Sequence, residues 1–224
     1  MYFRKKANSI FSKFFNLELE KQERILNASM KEFAQKGFKN ASTNEIVKEA
    51  DIAKGMLFHY FNNKKDLFLF LYDYSLEALE EEFFGKIDLQ ERDLLKRWRQ
   101  LALLKIDVIA KYPEMFRFIM AANFENDGKV KNELQNRNKD FITSSYAMIY
   151  DNIDHSKWRN DIDIKRAMDI INWTIEGFGV RQQEKTKLPS FSEFNCDEIM
   201  AEMDRYLELF RNCFYKQQED ASSQ

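Results

Sequence analysis

Residues 42–61 of this chain read STNEIVKEADIAKGMLFHYF. The stretch predicts a helix, a tight turn at Asp51, and a second short helix that begins at Ala53 or Lys54 and is crowded with polar and aromatic side chains. Two short helices joined by about 3–4 residues form the arrangement that places the second helix in the major groove of DNA. The stretch therefore predicts a helix-turn-helix unit whose partner is duplex DNA.

The sequence around this stretch also has a helical pattern. A helix is predicted from about Leu17 to Lys36, and Gly37 follows as the glycine that commonly ends a helix. Ser42 with Glu45 three residues later matches a capping box, in which each side chain accepts a hydrogen bond from the other residue's backbone N–H. Further helices are predicted at about 64–83, 91–111, 113–123, 129–153, 163–184 and 197–217.

The composition is that of an all-helical protein. Only 6 Gly and 2 Pro occur in 224 residues, whereas apolar residues make up 44% of the chain and include 21 Phe. Few turn formers and many apolar residues indicate short connections around a sizeable core. No apolar run approaches the roughly 20 residues of a transmembrane helix, and the basic start lacks the apolar stretch of a signal peptide. A soluble, cytoplasmic protein is expected.

Charge is distributed unevenly, although the net charge is only −2. Residues 1–65 hold 13 Lys and Arg against 7 Asp and Glu, a balance of +6, whereas residues 66–224 hold 22 against 30, a balance of −8. A basic N-terminal part on an acidic body favours a polyanion at one end. The alternative is chance clustering on solvated helix faces.

Three segments are expected: an N-terminal extension over 1–16, the helix-turn-helix over 17–65 and a larger helical body over 66–224. The extension has four basic residues and no acid, and four apolar residues on one face of a short helix: Arg4, Lys5, Lys6 and Lys13, with Ile10, Phe11, Phe14 and Phe15. It can pack on the body as an extra helix, reach the DNA backbone or minor groove as a basic arm, or lie on a membrane surface.

Residues of the helix-turn-helix divide into an inward platform and an outward face. Ile46, Val47 and Leu57 belong to the platform, together with Ala50 and Ile52. The predicted DNA-binding residues are Ser42, Thr43, Asn44, Lys54, Gly55, Met56, Phe58, His59, Tyr60 and Lys64. Hydroxyls at a helix N-terminus and a lysine suit phosphates, whereas a glycine allows close backbone approach to the bases.

A buried aromatic cluster is the alternative for Phe58, His59, Tyr60 and Phe61, with His59 as an ordinary core histidine. Successive helical residues turn by about 100°, so four consecutive aromatic residues cannot all face inward. At least one of His59 and Tyr60 is therefore expected to be exposed.

Residues 21–67 resemble the N-terminal domain of the TetR family of transcriptional repressors. The family pattern is matched at Gly37, Phe38, Glu45, Ile46, Ala50, Gly55, Leu57, His59, Tyr60, Phe61, Lys64 and Leu67. Asp51 replaces the turn glycine, although Asp tolerates the left-handed conformation. Ala53 replaces the usual capping serine, while Met56 and Phe58 stand where Thr and Tyr are common. The resemblance implies DNA binding and leaves the operator sequence open.

The resemblance also implies a dimer and an effector pocket in the body. Dimerisation through the last two long helices would use two apolar stripes, whose alternative role is ordinary core: Ala167, Met168, Ile171, Ile175 and Phe178, and Met200, Met203, Leu207, Phe210 and Phe214. A hydrophobic effector would meet Trp98, Met115, Phe116, Met120, Phe124, Phe141, Tyr146 and Trp173, which plain core packing also explains.

Catalytic and metal-binding motifs are missing from the sequence. His59 and His155 are the only histidines, and no HExxH, GxSxG, P-loop or dinucleotide fingerprint occurs, so the chain is predicted not to be an enzyme and to need no cofactor or metal. Cys196 and Cys213 are expected to be inert thiols, with a redox pair as the alternative. The predicted function is a repressor that a small hydrophobic effector releases from a pseudo-palindromic operator. The alternative is a lipid-binding or scaffold protein with a non-functional DNA-binding head.

Overall fold

The computed structural model describes residues 11–185 and 195–217, and within them it is helical without a β-strand. The helices are α1 (Ser12–Phe15), α2 (Leu19–Asn40), α3 (Thr43–Glu49), α4 (Lys54–Tyr60), α5 (Lys64–Phe84), α6 (Leu94–Lys111), α7 (Pro113–Asn123), α8 (Lys131–Tyr150), α9 (Ile164–Lys185) and α10 (Cys196–Phe214). A 3₁₀ turn lies at His155–Lys157. The predicted all-α class, with a helix-turn-helix ahead of a larger helical body, is confirmed.

The described residues form two compact units. The first contains residues up to 86 together with 107–147, and the second contains 87–106 together with the residues from 148 onward. The boundary predicted between residues 65 and 66 stays a prediction. Each predicted long helix is present, and Pro113 begins α7 as expected.

Aromatic rings form the core of the first unit. Phe68 of α5 lies edge-on to three rings, with centroid distances of 4.9 Å to Phe33, 5.3 Å to Phe38 and 5.2 Å to Phe118. All four residues are buried. Edge-to-face ring pairs add about 0.5–1.5 kcal/mol each to the burial of their apolar area. These rings join α2, α5 and α7, and thereby hold the long helix from which α3 and α4 continue.

The backbone at Gly37 interrupts α2 where the sequence predicts. Gly37 has the expected left-handed backbone, with φ of 68°, but helical geometry resumes after it and α2 extends to Asn40. Phe38, the next residue, is buried among the aromatic rings. Gly37 therefore ends the first helical stretch of α2, as predicted, and a second short stretch follows it.

The second unit has a charged residue at the centre of its packing. Arg97 is fully buried, and its guanidinium donates hydrogen bonds to the backbone carbonyls of Leu89, Glu91, Ile149 and Asp151. A carbonyl without a partner would be costly in this interior. Arg97 therefore ties the segment before α6 to the C-terminal end of α8.

The apolar stripes assigned to the dimer are largely core of the single chain. Ala167 and Ile171 of α9 are buried, as are the α10 residues Met200, Met203, Leu207 and Phe210. The exposed apolar residues of these helices occupy a different face: Ile170, Trp173, Val180 and Leu209. The core alternative therefore holds for most of the two stripes, whereas Met168, Ile175, Phe178 and Phe214 are half-buried.

Candidate nucleic-acid interface

The reading helix is α4, the second helix of the helix-turn-helix, and the platform residues beneath it are buried as the sequence predicts. Ile46, Ala50 and Leu57 are almost completely buried, Val47 is buried and Ile52 is half-buried. Burial of a large aliphatic side chain contributes about 1.5–3 kcal/mol, so these contacts fix α4 against α3. The reading helix has only seven residues, and this packing supplies the rigidity that so short a helix lacks alone.

The turn between the two helices tolerates its unusual residues. Asp51 has φ of 53°, the left-handed conformation expected for the family's glycine. The N–H of Ile52 closes the turn by donating to the Val47 carbonyl at 3.0 Å. Ala53 begins α4 without a side-chain cap. The tight turn therefore survives, and the missing cap leaves backbone N–H groups at the start of α4 free of a capping side chain.

Half of the predicted capping box is present at α3. Ser42 Oγ accepts a hydrogen bond from the Glu45 N–H at 3.4 Å, as predicted. The Ser42 N–H, however, donates to Glu32 Oε1 at 2.8 Å. Glu32 comes from α2, so the reciprocal contact is tertiary, and nothing in the local spacing signalled it.

The outward face of the helix-turn-helix contains most of the predicted DNA-binding residues. Asn44, Lys54, Gly55, Phe58 and His59 are exposed, while Ser42, Thr43 and Met56 are half-buried. A Cβ at Gly55 would meet no atom within 4 Å, so the backbone faces open space at this point. Among the described residues no ion pair engages Lys54 or the neighbouring exposed Lys48, which the sequence reasoning missed. These positive charges are available to an anionic partner.

Tyr60 does not face outward, and its predicted orientation is wrong. The residue is 6% exposed, and its buried hydroxyl has no hydrogen-bond partner in the part of the chain that the structure describes. His59 is the exposed member of the pair instead. Because successive helical residues turn by about 100°, at least one of the two had to be exposed, and in the folded chain it is His59.

Lys64 has a structural role that was not predicted. Its ammonium donates to the carbonyls of Lys39 and Ala41 at 3.1 and 2.9 Å, and it lies 5.2 Å from the centroid of the Phe38 ring. Lys64 therefore satisfies carbonyls at the end of α2, where a positive charge also favours the helix dipole. Its predicted phosphate contact stays a prediction.

The segment before α2 packs against the C-terminal end of the reading helix. Ring centroids of Phe11 and Phe14 lie 5.6 and 5.2 Å from that of Phe61, the residue that caps α4. Phe14 is completely buried, and both rings also contact Phe70. This agrees with packing as an extra helix for residues 11–16. Ile10 and the basic residues Arg4, Lys5 and Lys6 lie outside the described residues.

A carboxylate links the kink of α2 to the loop after α7 within the first unit. Glu125 Oε2 accepts the Phe38 N–H at 2.7 Å, and its other oxygen accepts the N–H groups of Asn126 and Asp127. A Cβ at Gly37 would lie 3.2 Å from Oε2, which leaves little room for a side chain there. Glu125 thus holds the backbone that follows the kink. It lies 87 positions from Phe38, so no local sequence motif could have predicted the contact.

The predicted effector residues are divided between the two units. Trp98 and Trp173 belong to the second unit, and the other six belong to the first. Met115 and Trp98 are buried, and Phe116, Met120, Phe141 and Tyr146 are half-buried. Phe124 and Trp173 are 72% and 68% exposed, so in the single chain they do not line an interior pocket as predicted.

No helix in the described part is long and apolar enough to cross a membrane. Within the same ranges, His, Cys, Asp and Glu form no group of three that could hold a metal ion.

The sequence of this chain is similar to a family model and to individual known proteins. Residues 25–71 match the family model described as bacterial regulatory proteins, tetR family. Two Bacillus subtilis transcriptional regulators, YuxN and YerO, are 42% identical over 55 residues and 28% identical over 135 residues, respectively 25% and 51% of this chain. The chain spans 19% and 46% of their lengths. The fatty acid metabolism regulator protein of Bacillus subtilis is 22% identical over 70% of this chain and 80% of its own length.

Solved structures share the fold over most of the chain. A TetR family regulator from Chloroflexus aurantiacus has a TM-score of 0.60 and 20% identity, covering 92% of this chain and 98% of that one. FadR from Bacillus subtilis, in complex with stearoyl-CoA, has a TM-score of 0.55 and 16% identity, covering 84% and 96%. AibR, in complex with isovaleryl-CoA and operator DNA, has a TM-score of 0.57 and 16% identity, covering 84% and 97%. Residues 25–71 thus match the sequence pattern of the tetR family of bacterial regulatory proteins, and the chain shares the fold of these solved structures.

Proposed function

We propose that this protein is a cytoplasmic, non-enzymatic transcriptional repressor that releases its operator when a small hydrophobic effector binds. The observation that carries the proposal is the outer edge of α4, where exposed Lys54 and His59 flank the open backbone of Gly55 on a buried platform. Such an edge allows close approach to base pairs, with a lysine to donate to a guanine or a phosphate. A scaffold protein with a non-functional head is not favoured, since it would not need this edge.

Selection of bound duplexes from a random pool tests DNA binding directly. We expect a pseudo-palindromic consensus, because one seven-residue reading helix contacts too few base pairs for specific binding alone. The affinity for the selected duplex should fall steeply between about 50 and 200 mM salt as counterions are released. Recovery of no consensus, together with salt-independent binding, would contradict the proposal.

The proposed active form is a homodimer joined through the exposed face of α9 and α10. Ile170, Trp173, Val180 and Leu209 are large apolar residues that remain 43–68% exposed in the single chain. On α9 the first three recur at a spacing of three and seven residues, and Gly177 between them is exposed as well. An apolar helix face of this kind marks a protein interface, and a second copy satisfies the symmetry of a palindromic site.

Light scattering on two charge substitutions tests this interface. Trp173→Glu should shift the protein from dimer to monomer at micromolar concentration, because it would bury two carboxylates in the symmetric contact. Leu19→Glu is the matched control, since Leu19 is 75% exposed at the start of α2 in the first unit. Dimeric Trp173→Glu protein would refute the assigned face.

An acyl-CoA thioester is the effector class that we propose. The support is the stearoyl-CoA bound to FadR and the isovaleryl-CoA bound to AibR, both of which share this fold. Release of the selected duplex should be measured with both thioesters, with free CoA and with the free fatty acids. We expect release by a thioester and not by free CoA. Retention of DNA with every compound would exclude this class.

A further inference from the structure

The outward face of the reading helix is an arc of exposed residues. Successive residues of a helix turn by about 100°, so four of the seven residues of α4 fall within an arc of about 140°. In their order around the helix these are Lys54, Phe58, Gly55 and His59. All four are exposed, whereas the remaining residues of α4 are buried or half-buried. Phe58 therefore lies between the lysine and the glycine at the edge that carries the proposed function.

Phe58 is the large apolar residue of this arc. It is 42% exposed, and its ring pairs with no other aromatic ring among the residues that the structure describes. Its aromatic neighbours are used inside the protein, since Tyr60 is buried and the Phe61 ring lies 5.2 Å from that of Phe14. Met56 is half-buried against the core of the first unit. A duplex that approaches α4 thus meets the Phe58 ring as an uncovered apolar surface.

Gly55 allows a duplex to come within contact distance of this ring. Gly55 precedes Phe58 by three residues, so the two lie on the same face of the helix, one turn apart. A Cβ at Gly55 would meet no atom within 4 Å, so a base pair can approach the backbone there without displacing a side chain. Helical side chains lean toward the N-terminus, over the preceding turn. A base pair seated against Gly55 therefore contacts the side chain of Phe58.

The chemistry of the Phe58 ring restricts what it can recognise. A phenyl side chain has no hydrogen-bond donor or acceptor, so it gains little from phosphates or from the polar edges of bases. In the major groove, the base edges present donors and acceptors, and thymine in addition carries a 5-methyl group. Contact between that methyl group and the ring removes apolar surface of both from water. A pyrimidine 5-methyl group is thus the part of the groove that complements Phe58.

We propose that Phe58 recognises the 5-methyl group of a thymine in each half-site of the operator. This inference rests on the proposed DNA-binding function and names the base that one residue of the reading helix selects. The operator then has a thymine at the same position of both half-sites, and loss of its methyl group weakens binding although base pairing is kept. Because the contact is apolar, it adds nothing to the salt dependence of the affinity.

Replacement of thymine by uracil in the selected duplex tests the contact. Uracil pairs with adenine as thymine does, and it differs in lacking the 5-methyl group. Each thymine is replaced in turn, at symmetric positions of the two half-sites. At one such position the replacement should weaken binding of the unsubstituted protein about 15-fold, since one buried methyl group contributes about fourfold in each half-site. The slope of log affinity against log salt should not change.

Variants at two exposed phenylalanines connect the methyl group to the ring. Phe58→Ala should bind the thymine and uracil duplexes equally, and its thermal unfolding should be unchanged because the ring is exposed. Phe58→Leu keeps an apolar contact and should retain part of the difference. Phe124→Ala is the matched control, since it removes the same side chain at a 72% exposed position directly after α7. The control should keep the full difference of about 15-fold.

The outcomes separate this contact from DNA binding as a whole. Equal affinity of the unsubstituted protein for thymine and uracil duplexes at every position would overturn the methyl contact while leaving DNA binding intact. A methyl effect that persists in Phe58→Ala would assign the methyl group to another residue and also overturn the proposal. Duplexes with cytosine or 5-methylcytosine at the same position distinguish the source of the methyl group, and an effect of 5-methylcytosine without one of thymine would overturn the assignment to thymine. Failure to select any duplex would overturn the proposed function as well.

Discussion

The two units are held together by different kinds of interaction. The first is held by rings such as Phe33, Phe68 and Phe118, whose burial is non-directional and tolerant of small shifts. The second is organised around Arg97 and Asp93, both almost fully buried, whose hydrogen bonds require particular partners in particular places. An apolar core follows from composition and periodicity, whereas a buried charge is stable only in the completed structure.

The largest expected effect comes from removing the buried guanidinium. Arg97→Met should lower the free energy of unfolding of the second unit by about 3–5 kcal/mol, because four backbone carbonyls lose their donor in the interior. Denaturant unfolding measures the loss. Arg99→Met is the control: Arg99 forms an exposed pair with Asp204 at 2.7 Å, and its loss should cost less than about 1 kcal/mol. Similar losses for both variants would remove the contrast between the units.

Acid should weaken the second unit through Asp93. Burial alone would raise the pKa of Asp93, but hydrogen bonds from Lys157, the Lys96 N–H and Tyr215 outweigh it and hold the pKa below its ordinary value. A carboxylate with a lowered folded-state pKa stabilises the protein above its unfolded pKa, about 3.9, and this contribution is lost as pH falls through the folded pKa.

Asp93→Asn should remove that part of the pH dependence and cost about 2–3 kcal/mol at pH 7. Unfolding measured from pH 7 to pH 3 should give a shallower decline for the variant than for the unsubstituted protein. Asp161→Asn is the matched control, because Asp161 is exposed and its ion pair among the described residues is with Arg159. Parallel pH profiles for Asp93→Asn and the unsubstituted protein would show that Asp93 does not carry the acid sensitivity.

A smaller effect is expected at Lys64, on the border between core and surface of the first unit. Lys64→Ala should cost about 1 kcal/mol, since two carbonyls at the end of α2 lose a charged donor but regain water in part. Thermal unfolding of this variant and of Lys48→Ala, at an exposed lysine of α3, gives the comparison. The Lys48 variant should stay within about 0.5 kcal/mol of the unsubstituted protein. Any loss of operator binding by Lys64→Ala has to be corrected for this change in stability.

The smallest effect on stability is predicted where the effect on DNA binding is clearest. Gly55→Ala should leave the protein as stable or up to about 1 kcal/mol more stable, because the added methyl group meets no atom within 4 Å and alanine favours a helix. The same methyl group would obstruct the duplex, so operator affinity should fall at least about tenfold, or 1.4 kcal/mol.

Gly128→Ala supplies the control for that experiment. Gly128 lies in the loop before α8 and also has open space around a Cβ. Its substitution should change neither stability nor affinity by a measurable amount. Undiminished operator affinity in Gly55→Ala would exclude close backbone approach at α4.

The local sequence pattern predicted those features that depend only on residues close together along the chain. The helices, the kink at Gly37, the left-handed Asp51 and the cap of Ser42 all follow from backbone sterics and short-range hydrogen bonds. The platform beneath α4 follows equally from helical periodicity, since Ile46 and Leu57 recur on the inward face.

Packing between distant segments decided the rest. Periodicity identifies an apolar stripe but not what covers it, so the sequence left the stripes of α9 and α10 open between a second copy and the chain's own core, and the chain itself buries most of their residues. Likewise, the sequence required that His59 or Tyr60 be exposed, and only the contacts around α4 selected His59.

By itself, then, the sequence determined an all-helical chain with a helix-turn-helix at its basic end that resembles the TetR family, because periodicity, caps and glycine positions act over a few residues. Only the tertiary structure decided the roles of Glu32, Glu125 and Arg97. Glu32 and Glu125 accept hydrogen bonds from residues 10 and 87 positions away. Arg97 donates to backbone carbonyls, which every residue has and which therefore leave no signal in the sequence. It likewise placed the Phe11–Phe15 segment at the end of the reading helix, because hydrophobic burial is non-directional and an apolar residue in the sequence does not indicate which residue it will pack against.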